Sequence, residues 1–230
     1  MMNIEPNHWV EEYQAFVANR AFPCIAAKAA LAEEQIKTLV VEHLACPGDD
    51  LKILDFLYMF IDEYRQSQKL YHSAVVIFKQ PRVIDETSFG DLMWQRLQSI
   101  SDLDALRNRW DSRVSNDPTS PDFSYSVKEE AMYVIGLHEH SSRTSRQFRY
   151  PAFVFNPHQQ FVKLRETGKY TPMKEVVRKR DLRLSGSVNP MLSDFGESSE
   201  ALQYSGKRYE EFWKCPFVSS HGASADHSTP

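Results

Sequence analysis

The 230-residue chain is 42% hydrophobic and 25% charged, with 8 Gly, 12 Pro and a formal net charge of −4. These proportions suit a globular chain with a sizeable core and exclude a disordered, collagen-like or coiled-coil composition. No apolar run approaches the roughly 18 residues of a membrane span, and Met1–Val10 lacks the basic start and apolar core of a secretory signal. With three cysteines (Cys24, Cys46, Cys215), too few for a disulfide scaffold, the chain reads as a cytoplasmic protein with reduced thiols.

Trp9, Tyr13, Phe16 and Val17 recur at helical spacing. Pro23 stands where a first-turn proline belongs, and the Ala- and Leu-rich stretch Cys24–Leu44, free of Gly, predicts a second helix. Pro47-Gly48 breaks the chain. Asp49 or Asp50 then caps a third helix to about Leu70, with Leu51, Leu54, Leu57, Tyr58 and Ile61 as its stripe. Ala74-Val75-Val76-Ile77-Phe78, ended by Pro81, predicts a buried strand. Ser88–Trp110 returns to helical spacing, as two helices broken near Ser99–Ser101, and Asn116–Asp122 is a loop by its turn residues.

Ala131–Leu137 and Ala152–Phe155 predict two more strands, on either side of the polar, Arg-rich His138–Tyr150. His158–Glu166 reads as a short helix stopped at Gly168, and a further helix starts at Thr171-Pro172. Ser185–Ser205 reads as largely irregular. The fold class is α+β: a small sheet of at least three strands packed by helices, with a helix-rich N-terminal half. One domain is expected over residues 1–218, followed by a disordered tail over 219–230. No Gly-rich turn follows a strand, which disfavours a doubly wound nucleotide-binding sheet.

Charge is uneven along the chain. Residues 1–130 carry 13 basic and 21 acidic side chains, whereas Arg143–Arg183 carries 11 basic and 3 acidic. The basic stretch suits either a solvated helix face or an anionic partner. Arg143, Arg146 and Arg149 recur at spacing three, and guanidinium forks on one face suit carboxylates or phosphates, those of a cofactor or of a nucleic acid. No stacking platform, zinc finger or helix-turn-helix accompanies them, so a nucleic-acid-binding module is the weaker reading.

His138 and His140 follow a strand, and His158 sits in Asn156-Pro157-His158 where a strand meets a helix. A neutral imidazole on such a platform suits zinc or haem iron, or serves as a hydrogen-bonded junction residue. Cys24, in Phe22-Pro23-Cys24, falls in a first helical turn, where the helix dipole favours a thiolate. Cys215, in Cys215-Pro216-Phe217, mirrors it near the C-terminus.

Ala21-Phe22-Pro23-Cys24, His138, Ser142-Arg143, Arg146-Gln147-Phe148 and Phe155–Phe161 occur in fixed order. They are followed by Arg180-Asp181, Asn189-Pro190-Met191-Leu192, Asp194-Phe195-Gly196, Ser199-Glu200-Ala201, Gln203-Tyr204-Ser205-Gly206 and Trp213–Phe217. In these blocks the chain resembles the YqcI/YcgG family from about Phe22 to Phe217. Glu139 departs from the family pattern, which has Pro after the histidine. Characterised members are haem-dependent oxygenases that hydroxylate a nitrogen of a guanidine-bearing substrate. The resemblance therefore implies haem b, oxygen or peroxide as oxidant, a guanidine or amine substrate, and room for an electron donor, with no nucleic-acid or membrane partner. A haem-binding sensor or carrier without turnover is the alternative.

For such an enzyme His158 is the first candidate for the axial ligand, with Cys215, Cys24 and His138 behind it. Asn156 is expected to orient the imidazole. Arg143 and Arg146 are candidates for the propionates, and Asp194, Glu200 and Glu197 for pairing with a cationic substrate.

Overall fold

The computed structural model describes residues 8–187, 195–210 and 212–221. Alternation along two strands decides the architecture. In β2 (Ser73–Gln80), Ala74, Val76 and Phe78 enter one core while Val75 and Ile77 enter another. In β5 (Ala152–Pro157), Phe153 and Phe155 join the first and Ala152 and Val154 the second. Strands apolar on both sides belong inside a covered sheet.

The sheet is mixed, with order β1-β2-β5-β4-β3, where β1 is Ile36–His43, β4 is Glu130–Leu137 and β3 is Tyr125–Val127. The β1/β2 pair is parallel and the remaining pairs are antiparallel. Two helices cover the face carrying Phe153: α3 (Asp50–Gln66), which is the crossover between the parallel strands, and α4 (Glu86–Ala105). The other face carries α1 (His8–Ala18) and α2 (Ile25–Ala32). The remaining helices are α5 (His158–Glu166), α6 (Tyr170–Ser185) and the short α7 (Ala201–Tyr204). The fold is α+β, with a helix-rich N-terminal half. Among the described residues no helix is long and apolar enough to cross a membrane.

Several sequence expectations are corrected. Cys24–Leu44 is not one helix: α2 stops at Ala32, Glu34 turns the chain with φ of 58°, and the β-branched run through Val40-Val41 becomes β1. Single-sequence periodicity hid this strand behind the alanines before it. The stretch Ser88–Trp110 holds one helix, α4, which has no break at Ser99–Ser101 and stops at Ala105. Ser101 is fully buried, and the Ser99 hydroxyl donates to Asp50 of α3. The stripe of α3 is Ile53, Leu54, Leu57, Phe60, Ile61 and Tyr64, and Leu51 is exposed. Within the stretch read as irregular, α7 forms, and residues 188–194 lie outside those described.

Two buried polar clusters lock the α3/α4 layer. Arg96 of α4 pairs with Asp50 at the start of α3, and its Nε donates to the Leu44 carbonyl at 3.1 Å, which ties the turn after β1 to both helices. At the far end of α4, the Asp104 carboxylate accepts from the Tyr58 hydroxyl at 2.6 Å, the Asn108 amide at 2.8 Å and the Lys128 N–H at 3.1 Å. His221 Nε2 lies 3.0 Å from the same carboxylate, with its ring against Trp110. The tail expected from Ser219 onward is thus anchored through His221, while residues 222–230 lie outside the described ones.

Both members of the Arg96–Asp50 pair are under 5% exposed, so removing one strands a charge in the interior. Arg96→Met is expected to lose about 3–5 kcal/mol of stability in urea unfolding, and more than the double replacement of Arg96 and Asp50 by apolar residues of similar volume.

Candidate functional site

Antiparallel pairing of β4 and β5 sets Tyr133 opposite Asn156, Ile135 opposite Val154 and Leu137 opposite Ala152. Tyr133, Ile135, Leu137, Val154 and Asn156 form the floor of a cavity of about 290 Å3, on the side of the sheet away from α4. Its walls come from α1 and α2 (Tyr13, Cys24, Ala27), from α5 and α6 (His158, Arg165, Tyr170, Asp181), and from the chain around α7 (Phe195, Glu200, Gln203). Arg143 and Arg146 close it from the turn that follows β4.

Six residues singled out from sequence therefore meet here: His158, Asn156, Arg143, Arg146, Cys24 and Glu200. His138 does not. It packs on the opposite side of the sheet, stacked on Phe89 of α4 at 4.3 Å, fully buried, with neither ring nitrogen hydrogen-bonded. Cys215 packs into the α4-side core. Glu197 is exposed and does not line the cavity, and Asp194 lies outside the described residues.

His158 opens α5 directly after Pro157, so the strand passes into the helix without a loop. The ring is 6% exposed, its Nε2 is buried without a hydrogen-bond partner, and Phe195 covers it at 4.3 Å between ring centroids. Burial pushes its pKa down to about 4, which keeps the imidazole neutral and its lone pair free at neutral pH. Asn156 does not orient this ring. Its Oδ1 accepts from Ser73 at 2.7 Å and its Nδ2 donates to the Tyr133 carbonyl at 3.2 Å, so it braces three strands instead.

The arginine row is not a row. Beyond the single 3-10 turn Thr144–Arg146 the segment is not helical, and spacing of three therefore does not align the side chains. Arg149 is exposed and meets Glu12 at 3.1 Å. Arg143 is buried, paired with Asp181 and donating to the Ser187 carbonyl at 2.8 Å. Arg146 is buried and donates to the Tyr204 and Gln203 carbonyls, each at 2.8 Å, with no carboxylate in ion-pair range among the described residues. Burial pushes its pKa down. Gly206, at φ of 86°, makes room for it: a Cβ there would stand 2.6 Å from Arg146 Cδ. With Arg143 and Arg146 buried, neither offers a surface to a polyanion.

Glu200 is 5% exposed. Its Oε2 accepts from the Tyr204 hydroxyl at 3.2 Å, and no cation pairs with it among the described residues. Burial pushes its pKa up to about 7, so the carboxyl is poised between its two states. Beside it the Tyr133 hydroxyl donates to Gln203 Oε1 at 2.9 Å. Cys24 caps α2, its Sγ accepting from the Ala27 N–H at 3.4 Å. Burial nevertheless raises its pKa: loss of solvent outweighs the helix terminus, and the thiol stays neutral. Cys215 is pushed up to about 12 by burial.

Sequence reasoning missed Asp181, Gln203, Tyr133 and Tyr13 as cavity residues. Asp181 and Gln203 sat in the ordered blocks without an assigned role. The tyrosines carried no signal beyond strand and helix patterning. Among the described residues no group of three or more His, Cys, Asp or Glu side chains is arranged to hold a metal ion. A site with one imidazole donor, a neutral thiol and a buried acid is instead suited to an organic ligand or to a metal carried within one.

An α+β fold whose mixed sheet floors a mixed-charge cavity defines the class of this molecule. The YqcI/YcgG family model matches residues 13–218, and the chain belongs to that family. Comparison with curated proteins and with solved structures gives no match.

Two outcomes follow from burial. Cys46 is exposed whereas Cys24 and Cys215 are half-buried, so a thiol reagent should modify Cys46 first and the other two more slowly. His138 and His158 both bind protons more weakly folded than unfolded, with pKa values near 4 against 6.5. Their contribution to stability is complete above pH 6.5 and is lost as pH falls toward 4. The urea midpoint should drop across that window, and His138→Phe should flatten the drop.

Proposed function

We propose that this protein is a haem-dependent oxygenase that hydroxylates a nitrogen of a guanidine- or amine-bearing small molecule. One observation carries the reading: a single cavity brings together a buried, neutral imidazole whose Nε2 has no hydrogen-bond partner, His158, and a buried carboxyl with no ion-pair partner among the described residues, Glu200. Each is incomplete in the protein alone. The first lacks a donor or Lewis acid for its lone pair, and the second lacks an ion-pair partner among the described residues.

The residues present fit the cofactor. His158 would hold the haem iron through its imidazole, in the protonation state that ligation requires. Arg146 suits a propionate better than Arg143, because Arg143 is already neutralised by Asp181 while Arg146 bonds only carbonyls. The floor of Ile135, Leu137 and Val154 offers an apolar surface to a macrocycle. When bound, haem supplies the activation of oxygen or peroxide that protein side chains do not provide.

The protein's own part is recognition and proton control. Glu200, fixed on one oxygen by Tyr204, takes the cationic nitrogen group of the substrate, and that charge draws the carboxyl into its ionised form. Tyr133 with Gln203 offers further polar contacts beside Glu200, which position the reacting nitrogen.

Reconstitution with hemin tests the first half. A Soret band with about one haem per chain is expected, lost or shifted in spin state in His158→Ala. Unchanged haem content in that variant would remove His158 as ligand. Turnover separates an oxygenase from a sensor or carrier. Glu200→Gln should keep the spectrum and lose at least about 30-fold in kcat/KM for a guanidine substrate, the equivalent of about 2 kcal/mol for one member of a charge-assisted pair. In the wild type KM should rise as pH falls below about 7, and the variant should lack that rise. A best substrate with no basic nitrogen would defeat the assignment.

A further inference from the structure

A second, smaller cavity of about 100 Å3 lies beside the first, lined by Arg113, Val114, Ala131, Gln159 and Val162. The two cavities share two wall residues, His158 and Phe195. These rings rest on each other at 4.3 Å with an interplanar angle of 60°. They form the partition.

We infer that Phe195 is a gate on His158: its ring closes the partition between the cavities and covers Nε2, and a molecule that coordinates or bonds to that nitrogen enters only when the ring swings aside and the two cavities join. The inference rests on the His158 assignment made above but concerns a different residue and a different event.

The covered state is poorly satisfied. His158 Nε2 is buried without a partner, and an aromatic ring edge or face does not replace a hydrogen bond to a neutral imidazole nitrogen. The contact is therefore a shelter with a penalty, and any ligand to Nε2 recovers what the covered state loses. That is the thermodynamic requirement for a gate, since a ligand shifts a population only through a difference in affinity between the two states. Phe195 is half-buried rather than locked in the core. The residue after it, Gly196, adopts φ of 88° and is pinned by its N–H to the Pro121 carbonyl at 3.1 Å, so the backbone has a fixed pivot next to the ring. Space for the displaced ring exists on both sides of the partition.

Room favours the same conclusion. The larger cavity is at the small end of ligand pockets, which run from about 300 to 1,000 Å3. Joining the second cavity to it past Phe195 adds about 100 Å3 and brings it inside that range.

The test compares the cofactor-free wild type with Phe195→Ala and Phe195→Trp. Two rates are read: acylation of each histidine by diethyl pyrocarbonate, followed by peptide mass spectrometry, and growth of the Soret band after mixing with hemin. Phe195→Ala should acylate His158 at least about tenfold faster than wild type, the factor equivalent to an opening step of about 1.4 kcal/mol, and Phe195→Trp should be slower than wild type. His140, which is exposed, should react equally in all three. His138, buried on the far side of the sheet, should stay unreactive, which shows that the variants are folded. Equal acylation of His158 in all three proteins overturns the gate. Fast acylation in Phe195→Ala with no hemin uptake by any variant keeps the gate and sinks the haem reading. Hemin uptake at one common rate, with His158→Ala deficient, keeps the haem reading and sinks the gate.

Discussion

The molecule depends on an unequal filling of the two faces of one sheet. β5 sends Phe153 and Phe155 to one side and Ala152, Val154 and Asn156 to the other. The aromatic side meets α3 and α4 in close contact, with Phe89, Met93, Trp94 and Leu97 filling the layer. The small side chains cannot fill the opposite layer to the same depth. Helices α2, α5 and α6 are held off the sheet there, and the space left becomes the cavity. Packing on one side thus sets the position of chemistry on the other.

The charges in that cavity follow from the same geometry. Asp181 and Arg143 neutralise each other, so they frame the site without acting on its contents. Glu200 and Arg146 do not pair with each other. Each is held by neutral groups of the stretch around α7, through the Tyr204 hydroxyl and through two carbonyls. Buried ions kept apart in this way are unfavourable for folding and useful for recognition, because each can be satisfied by a group arriving from outside.

How much of this was legible in the sequence depends on whether the signal was local. The start of α5 was readable because Asn156-Pro157-His158 carries strand, breaker and helix in three residues. β2 and β5 were readable from β-branched and aromatic runs bounded by Pro. β1 was not, because its pattern follows an alanine-rich helix without Gly or Pro between them, and Glu34 makes the turn with a residue rarely used for it. The arginines were wrongly arranged: a spacing of three is a shared face in a helix, and the segment is a loop in which Arg143 and Arg146 turn inward while Arg149 stays exposed. Among the acids, nothing local separates Glu200 from Glu197. One is buried and the other exposed because α7 begins immediately after Glu200 and turns it against Tyr204.

The anchoring of His221 on Asp104 bears on how the chain is made. Asp104 is fully buried, and its hydrogen bonds draw on α3, α4, the turn before β4 and the last stretch described. A nascent chain that has delivered both helices and the whole sheet from the ribosome still holds this carboxylate one partner short. Phe217, which fills the aromatic cluster of Trp94, Trp110 and Phe123, arrives equally late. Folding during synthesis therefore completes the α4-side core only once Phe217 and His221 have emerged.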